Sequence, residues 1–430
     1  MTRGQKGWLL LLLALCLAAR LGFILQVPAS EYFYSDGDDY SRVALGIAEG
    51  RGFYPPDMKP NIVYRAPFYP LVLGGIYKAA GGENLVAVRL VHCGLAVLTG
   101  LLLFAIGRTL GGLLTGFLAL GLFAVHPYFI YHTATVAPET TFIFLTVACY
   151  HFLFRFYDRA RLRDALAAGF CLGLAAVTKG TVLLIIPAAC LTAVLLLRTS
   201  WRRAWAGAAL FVLTALLVIA PLSAYTYARW HEFSLILDGS GLNFWIANSE
   251  ESVRLFRAET PEEFKRIQRT LWMEVLPAFE QEIGALAPAS RDAFYFRRGW
   301  EELRAHPGTS LWLAYERLKI FWSPWVHPKV YGLKEVLVSA AATVPLFVLG
   351  FATLWRRIRR GCPDAVFAGL AMVLITLVAG MLFNTEIRWR IPLIDTLLIL
   401  YTALGIASYA ARLGFLRRAQ FSSSTDAVPV

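Results

Sequence analysis

Three aspartates, Asp36, Asp38 and Asp39, fall within the seven residues "YSDGDDY" at positions 34–40. A carboxylate in such a place can take a proton from a reacting hydroxyl, cap a helix, or rest solvated in a first turn. Calcium is a further use for a "DGDD" run, but the longer loop pattern that calcium needs is missing. Further along stand Glu139 after Pro138, Lys179 in a turn between two apolar runs, and the arginines Arg65, Arg388 and Arg390. Guanidinium groups hold phosphate through two parallel bonds. Each residue also has a plainer use. Glu139 at a helix start is stabilised by the helix dipole, and Lys179 can snorkel to a membrane interface. Arg390 can anchor that interface, and Glu386 can serve only to pair with Arg388. His126 and His132 stand six apart, a poor spacing for one helical face, so they are expected as hydrogen-bonded structural histidines rather than a shared metal site. Tyr64, Trp245 and Trp322 could stack on a sugar, although aromatic belts account for them more simply.

The elements that position these groups follow from composition. The chain has 430 residues, 57% hydrophobic and only 16% charged. A soluble globule of that size would lack charged surface to cover itself. The apolar residues run in stretches of roughly twenty, the length that crosses a bilayer as a helix. Candidate spans lie at about 8–27, 84–106, 112–131, 139–157, 164–178, 181–197, 204–229, 335–355, 364–384 and 391–411. The first lacks a convincing small-x-small cleavage site, so it is expected to stay as an uncleaved span. The six cysteines sit in or beside apolar runs without paired spacing, which points to small core residues rather than disulfides or zinc.

The net charge of +12 would suggest nucleic acid in a soluble protein. Here the basic residues cluster in short loops: "RFYDRARLRD", "RTSWRRA", "WRRIRR" and "RLGFLRRAQ", with "MTRGQKG" at the start. The positive-inside rule places these in the cytoplasm, with both termini, and no nucleic-acid partner is expected. Residues 28–83 and 230–334 then face outward, and residues 413–430 form a cytoplasmic tail of a single integral membrane domain covering 1–430. The candidate charges gather on the outer side, where ionisable groups at a bundle's mouth often mark a site.

Within 28–83, Tyr40, Val43, Ala44, Ile47 and Ala48 form one apolar stripe ending near Gly50, the mark of a helix lying on the membrane. "RAPFYPLVLGGIYKAAGG" gives a second, too short to span. In 230–334, Thr260, Pro261 and Glu263 announce a helix start. "SRDAFYFRRGWEELRAHPG" reads as a helix ended by Pro307 and Gly308, and "SLWLAYERLKIFWSP" as an interfacial third. No strand pattern or internal repeat is evident.

The order of these motifs resembles the GT-C glycosyltransferases of the dolichyl-phosphate-mannose-protein mannosyltransferase superfamily, which includes the aminoarabinose transferases, over roughly residues 8–400. "DGDDYSRVALGIAEGRGF" is similar to their acidic cluster and first interfacial helix, and "YRAPFYPLVLGGIYKAAG" to their basic-x-Pro-aromatic stretch. "VAPETTFIFL" resembles the second acidic position and "GLAAVTKGTVLLIIP" the Thr-Lys-Gly turn. "GSGLNFWIANSEE" is similar to a Gly-x-Asn-aromatic stretch of the central outer loop, and "RWRIPLIDTLLIL" to the basic start of a late span. Some members carry a large soluble C-terminal domain that this sequence does not contain.

The resemblance implies an all-α polytopic bundle of about ten spans, with interfacial helices in the first outer loop and a helical central outer loop. It implies inverting transfer of a sugar from a polyprenyl phosphate to a hydroxyl acceptor at the outer face of the plasma (inner) membrane. Asp36, four before Tyr40, matches the register of the family's key acid and is the first candidate base; Asp38 is the second, and Glu139 is a candidate for positioning or catalysis. Arg65, Lys179, Arg388 and Arg390 are candidate donor-phosphate contacts, with Tyr64 and Asn243 as substrate contacts. No cofactor is demanded; a divalent metal remains an open possibility. The rival reading is a transporter or flippase for a lipid-linked or anionic solute, which should show inverted repeats and midplane charges.

Overall fold

The structure, a computed structural model, describes residues 1–32, 35–53, 65–197, 201–236, 239–384 and 386–413; at Ser35, Asp36 and Glu280 it describes the backbone alone. The catalytic and substrate candidates Asp36 (its side chain) and Tyr64 therefore lie outside the described residues, as does the tail beyond residue 413. Every regular element among the described residues is a helix, without a strand.

The helices run α1 (Arg3–Ile24), α2 (Ser35–Ala48), α3 (Phe68–Ala80), α4 (Leu85–Val125), α5 (Pro127–Ala134), α6 (Glu139–Arg159), α7 (Leu162–Ala176), α8 (Ile185–Leu196) and α9 (Trp201–Trp230). They continue as α10 (Ser240–Asn248), α11 (Glu250–Arg257), α12 (Pro261–Thr270), α13 (Leu276–Ile283), α14 (Pro288–Ala305), α15 (Pro307–Phe321), α16 (Leu333–Ile358), α17 (Pro363–Ile375), α18 (Ile387–Arg390) and α19 (Thr396–Arg412).

Among the described residues, seven helices are long and apolar enough to cross a membrane. One of them, α4, is two helices joined at Gly111 and Gly112, where Gly112 takes φ 84°, a backbone that side chains disfavour. That break divides the predicted spans 84–106 and 112–131. The second of these ends at Val125, because His126 is extended and Pro127 opens α5. The predicted spans 164–178 and 181–197 are the shorter α7 and Gly180–Leu196.

Helices α6 and α19 form the centre, with 78% and 83% of their spanning windows buried. Around them pack α4 against α1, α6 and α19, α7 against α6 and α9, and α16 against α19. Their ends differ in charge. Helix α6 begins at Glu139 and ends at Arg159, α16 ends with Arg356 and Arg357, and α19 ends at Arg412.

The first loop holds the two predicted amphipathic helices. The stripe on α2 is buried at Tyr40, Val43 and Ala44, and Tyr40 and Ala44 pack with Tyr69, Leu73 and Tyr77 of α3. The central loop is more helical than its sequence announced, since α10, α11 and α13 join the three expected helices. Thr260 caps α12 by accepting from Glu263 N. Pro307 does not simply end α14: His306 breaks the run and Pro307 is the first residue of α15, where its missing N–H costs nothing.

Candidate functional site

Where α2, α6, α10 and α18 meet the turn that follows α7, the fold forms a cavity of about 260 Å³. Its wall includes Tyr40, Arg65, Glu139, Lys179, Asn243 and Arg388, six residues drawn from six separate stretches of sequence.

Glu139 is the first residue of α6, directly after Pro138, and is 1% exposed. Its Oε1 lies 3.4 Å from Lys179 Nζ and 3.9 Å from Arg388 Nη1. Its Oε2 has no hydrogen-bond partner among the described residues. A buried carboxylate with one oxygen unsatisfied is costly unless cations hold it. Lys179 sits in extended backbone between the end of α7 and a tight 3₁₀ turn at Gly180–Leu184. That geometry turns its side chain toward Glu139, with Nζ 5.0 Å from the centre of the Trp389 ring. Phe68 N donates to Val177 O at 3.0 Å, which lays the Arg65–Pro67 stretch beside the Lys179 turn.

Arg65 crosses the Tyr40 ring at 5.2 Å and bonds Asp39 at 2.9 Å. Asp39 also meets Arg42 at 2.7 Å, so it bridges two arginines instead of resting solvated in a first turn. Asp38 is 64% exposed and lies 3.4 Å from Arg42. It does not cap α2, because that helix already begins at Ser35. Arg388 reaches Glu386 at 2.8 Å as well as Glu139, so Glu386 does pair with it. Arg390 does not join the cavity. It is fully buried in an ion pair with Asp395, and its Nη1 donates to the carbonyls of Phe321 and Ser323.

The central loop supplies the opposite wall. Asn243 Nδ2 donates to Gly239 O at 3.1 Å, and Asn243 O accepts from Asn384 N at 2.9 Å. The stretch carrying Asn384 is held from the other side by Arg317, 2% exposed, whose guanidinium donates to the carbonyls of Ala247 and Met381. Helix α10 sits on α14 so closely that a Cβ at Gly241 would lie 2.1 Å from Asp292 O, while Gly241 N donates to Asp292 Oδ1 at 2.7 Å. Gly241→Ala should therefore push α10 off α14 and lower stability by about 1–3 kcal/mol, as overpacking typically does. A thermal-melt comparison checks it; an unchanged midpoint would refute the close approach.

Tyr40, Trp272, Asn384 and Trp389 also line the cavity and were not named as site residues from sequence. Trp389 carried a signal, since it stands between two candidate arginines. His132 is buried, and that burial pushes its pKa down to about 4, so it is neutral near pH 7. Among the described residues, no three His, Cys, Asp or Glu side chains come together as a metal site. Asp39, Glu139 and Glu386 each lie against arginine or lysine instead.

Burial also lowers the Lys179 pKa from the ordinary lysine value of 10.5, with Glu139 opposing the shift. Its positive charge is then lost at a lower pH than that of a free lysine as pH rises. Anion binding at the cavity should weaken on the alkaline side before pH 10.5 is reached. A Lys179→Arg variant should lack this loss; pH titrations of anion affinity that coincide for the two proteins would refute it.

A bundle of this kind, with amphipathic helices in its first loop and a mixed-charge cavity at one end, is that of a polytopic membrane protein. Residues 64–226 match the family of dolichyl-phosphate-mannose-protein mannosyltransferases. Among solved structures, the chain is similar to the oligosaccharyltransferase AglB of Archaeoglobus fulgidus in complex with an inhibitory peptide and a dolichol-phosphate. That likeness has 15% identity and a TM-score of 0.61, covering 100% of this chain and 53% of that one. The apo form of the Archaeoglobus fulgidus enzyme gives 14% identity and a TM-score of 0.62, covering 100% of this chain and 54% of the other. Its complex with zinc and sulfate gives 14% identity and a TM-score of 0.57, covering 97% of this chain and 51% of that one. The chain thus spans about half the length of the structures it matches. No curated protein matches it. The likeness to these solved structures shows that the chain shares their polytopic GT-C fold.

Proposed function

We propose that this protein transfers a sugar from a polyprenyl-phosphate donor to a hydroxyl acceptor at the extracytoplasmic face of a plasma (inner) membrane. The observation that carries the reading is the convergence of Lys179 and Arg388 on Glu139, with Arg65 on the same cavity wall. Three cations at the mouth of a membrane bundle suit a lipid-borne phosphate whose isoprenoid tail stays in the bilayer. The complex of the archaeal relative with dolichol-phosphate supports the same ligand class.

In the proposed reaction the donor phosphate lies among Arg65, Lys179 and Arg388. The acceptor oxygen attacks the anomeric carbon from the opposite side. A new carbon–oxygen bond forms as the bond to phosphate breaks, and the lipid phosphate leaves with its electron pair. Asp36 takes the hydroxyl proton. Asp38 is the second candidate, and its exposure beside Arg42 weakens its claim. Glu139 orients Lys179 and Arg388 and balances their charge until phosphate arrives. Asn243 is suited to hydrogen-bond a sugar hydroxyl. Residues 28–83 form the outer loop that carries the acids, and residues 230–334 the outer loop that meets the acceptor. The arginines at the far ends of α6, α16 and α19 support a cytoplasmic placement of those ends and of both termini.

The test is reconstitution of purified protein with undecaprenyl-phosphate sugars and hydroxyl acceptors from the envelope. Sugar transfer supports the reading. Movement of the lipid across the bilayer without transfer would replace it with a transporter.

A further inference from the structure

Resting on the phosphate reading above, we propose that Arg390 and Asp395 form a positioning pair that aims Arg388 at the donor phosphate. Arg390 and Asp395 are both 0% exposed and meet through two bonds, Nε to Oδ1 at 2.8 Å and Nη2 to Oδ2 at 3.2 Å. Arg390 Nη1 donates to Phe321 O at 2.6 Å and Ser323 O at 2.8 Å, at the end of α15. All the donor capacity of this guanidinium that the fold uses is therefore spent inside the protein, on a carboxylate and two carbonyls.

What the pair holds is an unusual piece of backbone. Between α18 and α19 the chain makes one wide π-helical turn, Ile391–Asp395, with Pro392 in its first positions. Such turns are rare and recur at functional sites, because they shift the side-chain register within a helix. Here the turn closes between its two ends by a side-chain bond, Arg390 before it and Asp395 at its last position. Its Leu393 carbonyl accepts from Tyr150 OH at 2.9 Å. Tyr150 belongs to α6, the helix that starts with Glu139. That contact ties the helix bearing Glu139 to the turn that follows Arg388, and the two side chains arrive 3.9 Å apart.

Successive helical residues are about 100° apart, so Arg388 and Arg390 point in nearly opposite directions. Arg390 is the inward anchor, and Arg388 is the outward contact whose direction the anchor fixes. Arg390 touches no ligand in this scheme. It is a positioning residue.

A double-mutant cycle tests this with undecaprenyl phosphate as the probe, bound to purified protein in detergent. Asp395→Asn should raise its dissociation constant about tenfold in the parent protein, yet less than twofold where Arg388 is already alanine. A merely structural role predicts the same factor in both backgrounds, and that result would overturn the proposal. Because removing one partner of a buried pair can prevent folding, Tyr150→Phe serves as the second variant. It keeps the ring and removes only the bond to Leu393 O; its smaller rise should likewise vanish in the Arg388→Ala background. If Arg388→Ala alone leaves affinity unchanged, the phosphate reading falls, and this inference falls with it.

Discussion

Lys179→Ala is expected to raise the dissociation constant for a polyprenyl-phosphate sugar by roughly 30-fold or more. Truncating one partner of a buried charged pair costs about 2–5 kcal/mol in binding. Two losses combine here. The phosphate loses a cation, and Glu139, 1% exposed, loses the nearer of its two ion-pair partners and keeps Arg388 at 3.9 Å. That carboxylate would then repel the incoming phosphate. Lys179→Arg should retain most of the affinity, although a planar guanidinium fits differently over Trp389. Calorimetric titration with undecaprenyl phosphate reads both variants, and an alanine variant that binds as tightly as the parent would remove Lys179 from the phosphate site.

The second large effect is on turnover. Asp36→Asn should slow sugar transfer by about 10²–10⁴-fold, the usual contribution of a well-placed general base, while donor affinity stays within a factor of a few. The split is informative because asparagine keeps the size and loses the proton-accepting charge. Transfer at the parent rate would pass the role to Asp38 or Glu139. A fall in donor affinity with unchanged turnover would instead make Asp36 part of the phosphate site's charge balance. Rapid-mixing turnover measured at saturating donor separates these results.

Much of this site could be seen in the sequence, because the signals were local. Pro138 before Glu139 marks a helix start, and a lysine in a three-residue turn between apolar runs has few places to go. The stripe from Tyr40 to Ala48 identifies α2 through its period alone. What the sequence concealed depends on contacts between distant residues. Asp39 meets Arg65 across 26 positions, and no local pattern foretells that pairing. Arg388 and Arg390 looked equivalent in "RWRIP", yet helical geometry forbids both from facing one cavity, and the partner that claims Arg390 lies at the far end of a π-helical turn. The central loop was harder still. Helices α10, α11 and α13 run for only 9, 8 and 8 residues, roughly two turns each in which to read a pattern, and α10 is held by Gly241 against Asp292 and by Asn384.

Helix α6 carries Glu139 at one end and Arg159 at the other, with 21 residues between its limits. At 1.5 Å per residue that is roughly 30 Å, close to the thickness of a bilayer's hydrocarbon layer. This central helix therefore acts as a gauge of depth: with its arginine end settled among one leaflet's headgroups, its acidic end is delivered to the headgroup plane of the other. The proposed donor, tethered by its own tail, would wait at that same level and need neither rise out of the lipid nor sink into it to be caught. Bilayers much thicker or thinner than this gauge would force the bundle to tilt or the lipid to deform, misaligning protein and substrate without altering a single residue.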